Sequence, residues 1–85
     1  MKKIRILGLH ITDRIKEAGQ TQKTLSENHT LIKTRLGFHE VSEDVCSRTG
    51  IILLQLSGSV DEQDKLEHQL REIRGIDVQR MEFGE

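Results

Sequence analysis

The apolar positions of this chain keep two rhythms, one of period two and one of helical period. Residues 3–11, KIRILGLHI, alternate at strand length, with Leu7, Leu9 and Ile11 on one face and Ile4, Ile6, Gly8 and His10 on the other. Residues 14–28 carry Ile15, Ala18 and Leu25 at helical spacing with a gap at Gln22, and Asp13 is placed to cap this helix. Gly19 costs that helix up to about 1 kcal/mol relative to alanine. Residues 30–38 alternate again, with Ile32, Thr34, Leu36 and Phe38 opposed to Leu31, Lys33, Arg35 and Gly37. Residues 51–58, IILLQLSG, are the most apolar run and predict a central strand, buried on both faces over its first half.

Residues 60–75 predict a second helix with Leu66, Leu70 and Ile73 as its stripe. Acidic residues crowd its start, where the helix dipole favours them, and Gly75 stands where a left-handed C-terminal cap is expected. Residues 76–83 close the series as a strand. Ile76 and Val78 fall out of phase with Met81 and Phe83, which predicts a bulge or a late strand start.

The order β-α-β-β-α-β joins two β-α-β halves at a hairpin. It predicts an α+β, ferredoxin-like sandwich, with an antiparallel sheet of order 4-1-3-2 and two helices on one face. The first and third strands then form the central pair, and they are the most apolar ones.

One sheet face is left bare in this arrangement. Alternation assigns to it Ile4, Ile6, Gly8, His10, Leu31, Lys33, Arg35, Ile51, Leu53 and Gln55. That mixture is too apolar for a solvated face and too polar for a core, so it reads as a contact with another molecule. Ile4, Ile6, Ile51 and Leu53 are the expected interface of a homodimer or tetramer.

Composition strengthens that expectation. Only 34% of the 85 residues are apolar, Phe38 and Phe83 are the only aromatics, and the one cysteine cannot form an internal disulfide. A domain of this size buries only about 60–65% of its unfolded surface. Association of identical chains is the remaining cheap source of burial. Thirteen basic and fourteen acidic residues nearly cancel, which argues against direct nucleic-acid binding. No apolar run approaches the roughly 20 residues that span a bilayer, and no signal peptide is legible, so the expectation is a cytoplasmic protein.

Candidate chemistry is sparse. The stretch FHEVSEDVC, Phe38–Cys46, gathers several potential metal ligands. His39 and Cys46 stand at opposite ends of a hairpin loop and could converge, with His29 as a third ligand. No CxxC, HxH or HxxxH pair accompanies them, so an ordinary solvated loop is the preferred reading. His10, Lys33, Arg35 and Gln55, brought to the bare face, form the expected ligand-binding group, with a small anionic effector held against Arg35 at a subunit boundary. His68 is placed on the exposed side of the second helix and given no role. There is no phosphate-binding glycine loop, no cofactor motif and no nucleophile with an oriented base, so neither a cofactor nor an enzymatic activity is expected.

TRLGF at 34–38, GIILLQLSG at 50–58, LREIRGIDVQRMEF at 70–83 and the strand-to-helix passage ITDR together resemble the small ACT-like regulators associated with iron-only hydrogenase systems. The resemblance covers nearly the whole chain and rests mainly on apolar and glycine positions. It implies a single ACT-like domain over residues 1–85, a regulatory or ligand-sensing role, and kinship with ACT domains and with the C-terminal domain of nickel-responsive regulators. The loop Ile11–Arg14 lacks the Gly or Pro at which amino-acid-binding ACT domains meet their ligand. The first strand begins near residue 3, which leaves no place for the DNA-binding arm of the nickel regulators. The metal-responsive reading, with His29, His39 and Cys46, is the alternative.

Overall fold

The computed structural model describes residues 3–12, 14–38 and 50–84, the side chains of 14–18 and 38 excepted. Four strands and two helices follow in the expected order. They are β1 (Lys3–Ile11), α1 (Arg14–Glu27), β2 (Ile32–Phe38), β3 (Gly50–Leu56), α2 (Val60–Arg71) and β4 (Ile76–Gly84), with a 3-10 turn at His29–Leu31 before β2. The sheet order is β2-β3-β1-β4, and every pairing is antiparallel. This is the ferredoxin-like, ACT-like sandwich, with the two most apolar strands side by side at its centre.

Alternation along β1 and β3 drives Leu7, Leu9, Ile11, Ile52, Leu54 and Leu56 under the helices, where Leu25, Leu66, Leu70, Ile73 and Val78 complete one core. In α1 the gap at Gln22 is filled from one position earlier. Thr21 is fully buried, so a threonine takes the apolar place between Ala18 and Leu25. Helix α2 is started by a capping box. The Ser59 hydroxyl accepts from the Glu62 amide, and the Glu62 carboxylate accepts from the Ser59 amide.

Four expectations need correction. Helix α2 ends at Arg71, so Gly75, at φ 86°, serves the turn into β4 and does not cap the helix. Its carbonyl accepts from both the amide and the hydroxyl of Thr12, which ties the end of β1 to the start of β4. Strand β4 pairs with β1 in unbroken register from Ile76 to Gly84, without a bulge. Its apolar residues change phase because they serve two faces: Val78 is buried in the core, while Met81 and Phe83 lie 54% and 49% exposed on the other side. Strand β3 is buried on one face only, since Ile51 and Leu53 remain 37% exposed. The irregularity lies in β2, where the register shifts between Ile32 and Thr34. The placement of Asp13 as a cap concerns a residue outside those described.

Candidate functional site

The bulge in β2 decides which residues reach the bare sheet face. Ile32 pairs with Leu56 and packs on the core, as does Leu31 in the preceding turn. Past the bulge, Thr34 stands opposite Gln55, Arg35 opposite Leu54 and Leu36 opposite Leu53. One extra residue in a strand moves every later side chain to the other face. Leu31 and Arg35 are therefore absent from the bare face, and Thr34 and Leu36 occupy it. Arg35 reaches over α1, where its Nη2 donates to Gln22 Oε1 at 2.8 Å.

Residues directly opposed in an antiparallel pair share a face, so the register gives the bare face row by row. Thr34, Gln55, Ile6 and Met81 form one row across the four strands. Leu36, Leu53, Gly8 and Gln79 form the next, and Ile51, His10 and Asp77 lie in the third. Ile4 and Phe83 stand beside the first row. Leu53 lies over the backbone of Gly8, since a Cβ at Gly8 would be 3.6 Å from Leu53 Cδ2. Among the described residues, the large exposed apolar side chains are Leu36, Ile51, Leu53, Val60, Met81 and Phe83, and all but Val60 belong to this face. Asp77 stands at one corner of this face, and Lys33, the extra residue of the bulge, lies at the edge near the diagonal corner.

The expected ligand-binding group is thus divided. His10 is on the bare face, exposed, opposite Asp77. Gln55 lies on the same face at the other end of the sheet, where its Oε1 accepts from the Thr34 hydroxyl at 3.4 Å. Lys33, at the bulge, shares with Gln55 the lining of a groove of about 290 Å³ at that end, together with Lys3, Ser57, Gly58 and Gln63. Arg35 belongs to neither group.

A charged cluster under α2 has no counterpart among the expectations. Arg5 is in phase with Leu7 and Leu9, and only 5% of it is exposed. Its guanidinium lies 2.8 Å from Asp64, 3.4 Å from Glu67 and 3.2 Å from Glu82. Glu67, itself 6% exposed, also meets Arg71 at 2.9 Å and Arg80 at 3.3 Å. Arg71 further donates to the Val78 carbonyl at 2.8 Å, so the cluster joins α2 to β1 and β4. The hydrogen bond from Arg80 holds the Glu82 carboxyl below its ordinary range, and the same bond raises Arg80. The signal was present in the period-two phase of Arg5 and in the place of Glu67 beside Leu66 and Leu70.

No set of three potential metal ligands gathers among the described residues. His29 sits past the end of α1 with Nδ1 3.0 Å from the Ser26 carbonyl, and His68 pairs with Glu72 on the surface. His39 and Cys46 lie outside the described residues. The hydroxyls of Thr12, Thr24 and Ser57 donate to backbone carbonyls, and that of Ser59 caps α2. No described helix is long and apolar enough to cross a membrane.

No protein-family model and no curated protein matches the chain. Solved structures do. An uncharacterized protein from Thermotoga maritima is 27% identical over 98% of this chain and 100% of its own, with a TM-score of 0.80. The ACT domain from GTP pyrophosphokinase of Chlorobium tepidum is 19% identical over 92% of this chain and 96% of its own, with a TM-score of 0.64. A formyltetrahydrofolate deformylase from Pseudomonas putida is 11% identical, with a TM-score of 0.56, over 92% of this chain but only 28% of its own. These likenesses place the fold among ACT-like, ferredoxin-like domains.

Proposed function

We propose that this chain is a small, non-enzymatic, ligand-sensing regulatory module that acts as a homo-oligomer through the bare face of its sheet. The observation that carries the reading is the collection of Leu36, Ile51, Leu53, Met81 and Phe83 on that one face, beside the half-buried Ile4 and Ile6. Four strands about 4.8 Å apart and about seven residues long present roughly 450 Å² in plan. Stacking two such faces removes on the order of 1,000 Å² from water, the size a specific interface needs. A second copy suits the face because its centre is apolar and its opposite charges lie near diagonal corners. A two-fold can set Lys33 of one copy beside Asp77 of the other.

The fold shared with an ACT domain supports the sensing role. The sequence resemblance supports a regulator of the kind found with iron-only hydrogenase systems, working in the cytoplasm without direct nucleic-acid contact. Light scattering at high micromolar concentration tests the assembly. A folded protein with the mass of one chain would remove the reading.

A further inference from the structure

The groove at the Lys3–Lys33 end of the sheet follows from how the ladder stops. Pairing between β1 and β3 reaches Ile6–Gln55 and goes no further. Strand β1 continues to Lys3 against β4 alone, with Lys3 opposite Gly84. Strand β3 ends at Leu56, and the chain turns through Ser57, Gly58 and Ser59 into α2. A notch opens between the start of β1 and this turn. The bulge in β2 delivers Lys33 to its far side.

The turn is held tightly. The Ser57 amide donates to the Leu31 carbonyl at 2.7 Å, and Gln63 Nε2 donates to the Gly58 carbonyl at 3.0 Å. Gly58 has φ 93°, and a Cβ there would lie 2.7 Å from Leu31 Cδ2, so the chain passes where only glycine fits.

Lysines supply the charge of the described groove lining, while Glu62 Oε1 approaches within 3.3 Å of where a Cβ on Gly58 would stand, and the Arg80 hydrogen bond, helped by Lys3, holds Glu82 below its ordinary range. That lining holds two lysines and no carboxylate. Among the described residues, the ion pairs engage Arg5, His68, Arg71 and Arg80, and neither Lys3 nor Lys33. The neighbouring acids are committed elsewhere. Glu62 accepts from the Ser59 amide, and Glu82 accepts from Arg5 and Arg80. Lys3 and Lys33 rise from strands on either side of β3 and are offset by two to three residues along them, so their stems start about 12 Å apart. Two ammonium groups at that separation can close from both sides on one small oxyanion, as point charges that need no fixed fork.

We propose that this groove binds a small oxyanion carrying at least two negative charges, a diphosphate or a polycarboxylate. Lys3 and Lys33 clamp it, and the Gln55 side-chain NH2 group orients it. The assignment deepens the sensing role proposed above by giving the effector a chemical class. It moves the anion site away from Arg35. Because Gln55 also belongs to the bare face, an occupied groove borders the surface used for assembly.

Amide NMR titrations with sodium pyrophosphate and, separately, with citrate at constant ionic strength test this. Saturable shifts are expected at Ser57, Gly58 and Gln55. The double variant Lys3→Ala, Lys33→Ala should weaken binding about ten-fold or more, while Lys23→Ala on α1 leaves it unchanged. The tighter of the two ligands tells phosphate from carboxylate. Absence of saturation by both, or equal binding by the double lysine variant, overturns the site. Sedimentation of the same samples keeps the two proposals apart. A monomer with saturable shifts at Ser57 and Gly58 upholds the groove while removing the assembly, and a dimer without them does the reverse.

Discussion

Arg5 and Glu67 meet under α2 as an ion pair 3.4 Å apart, with 5% and 6% of each residue exposed. Charges so placed are tolerated because both are surrounded by partners, Asp64 and Glu82 for the arginine and Arg71 and Arg80 for the glutamate. Breaking a buried pair commonly costs about 3–5 kcal/mol. Here two arginines stay on Glu67, so Arg5→Met should cost about 2–4 kcal/mol in urea unfolding. Adding Glu67→Leu to Arg5→Met should recover part of that loss, since no buried charge is then left over. A double variant less stable than the single one would show that Glu67 matters chiefly for holding Arg71 and Arg80.

Leu53 stands at the middle of the bare face, over Gly8 and opposite Leu36. Leu53→Asp should leave the fold intact, because the side chain is outside the core, and shift the protein from assembly to monomer. Ile6→Asp on the neighbouring strand should act alike. Sedimentation velocity with a circular dichroism control reads both. An unchanged sedimentation coefficient would mean that assembly, if present, uses another surface.

Two glycines should respond in opposite senses. Gly19 is exposed inside α1, and a Cβ there meets nothing within 4 Å. Gly19→Ala should stabilise the protein by about 0.5–1 kcal/mol. Gly58→Ala meets both a left-handed backbone and Leu31, and should destabilise by more than Gly19→Ala gains. Thermal melts of the two variants against the unaltered protein check the signs.

Acid should weaken the start of α2. The Ser59 amide, through its hydrogen bond, holds Glu62 below its ordinary value of 4.5. A carboxyl lowered on folding contributes stability above its unfolded value, and that contribution fades as pH falls through the lower folded value. Glu82, held down by Arg80, has the same sign. Stability should therefore fall below about pH 4.5, and Glu62→Gln should remove part of that fall. Ser59→Ala should cost about 0.5–2 kcal/mol at neutral pH, as loss of a helix cap does. Urea midpoints between neutral and acid pH measure both, and identical acid limbs for Glu62→Gln and the unaltered protein would contradict the assignment.

By itself the sequence determined the order of elements, the central place of β1 and β3, and a core of Leu7, Leu9, Ile11, Ile52, Leu54, Leu56, Leu66, Leu70 and Ile73. Each of these follows from local periodicity, which reports which neighbours along one element share a face. Only the tertiary structure decided what stands across from what. The bulge between Ile32 and Thr34 turned Arg35 toward Gln22 and brought Leu36 to the open face, although the letters of β2 alternate without interruption. Conversely, the broken alternation of β4 needed no bulge, because Val78 serves the core while Met81 and Phe83 serve the other face. Arg5 was legible as an inward position but not as a tolerable one. A buried guanidinium depends on Asp64, Glu67 and Glu82, which lie 59, 62 and 77 residues away and reach it only after the sheet and α2 have packed.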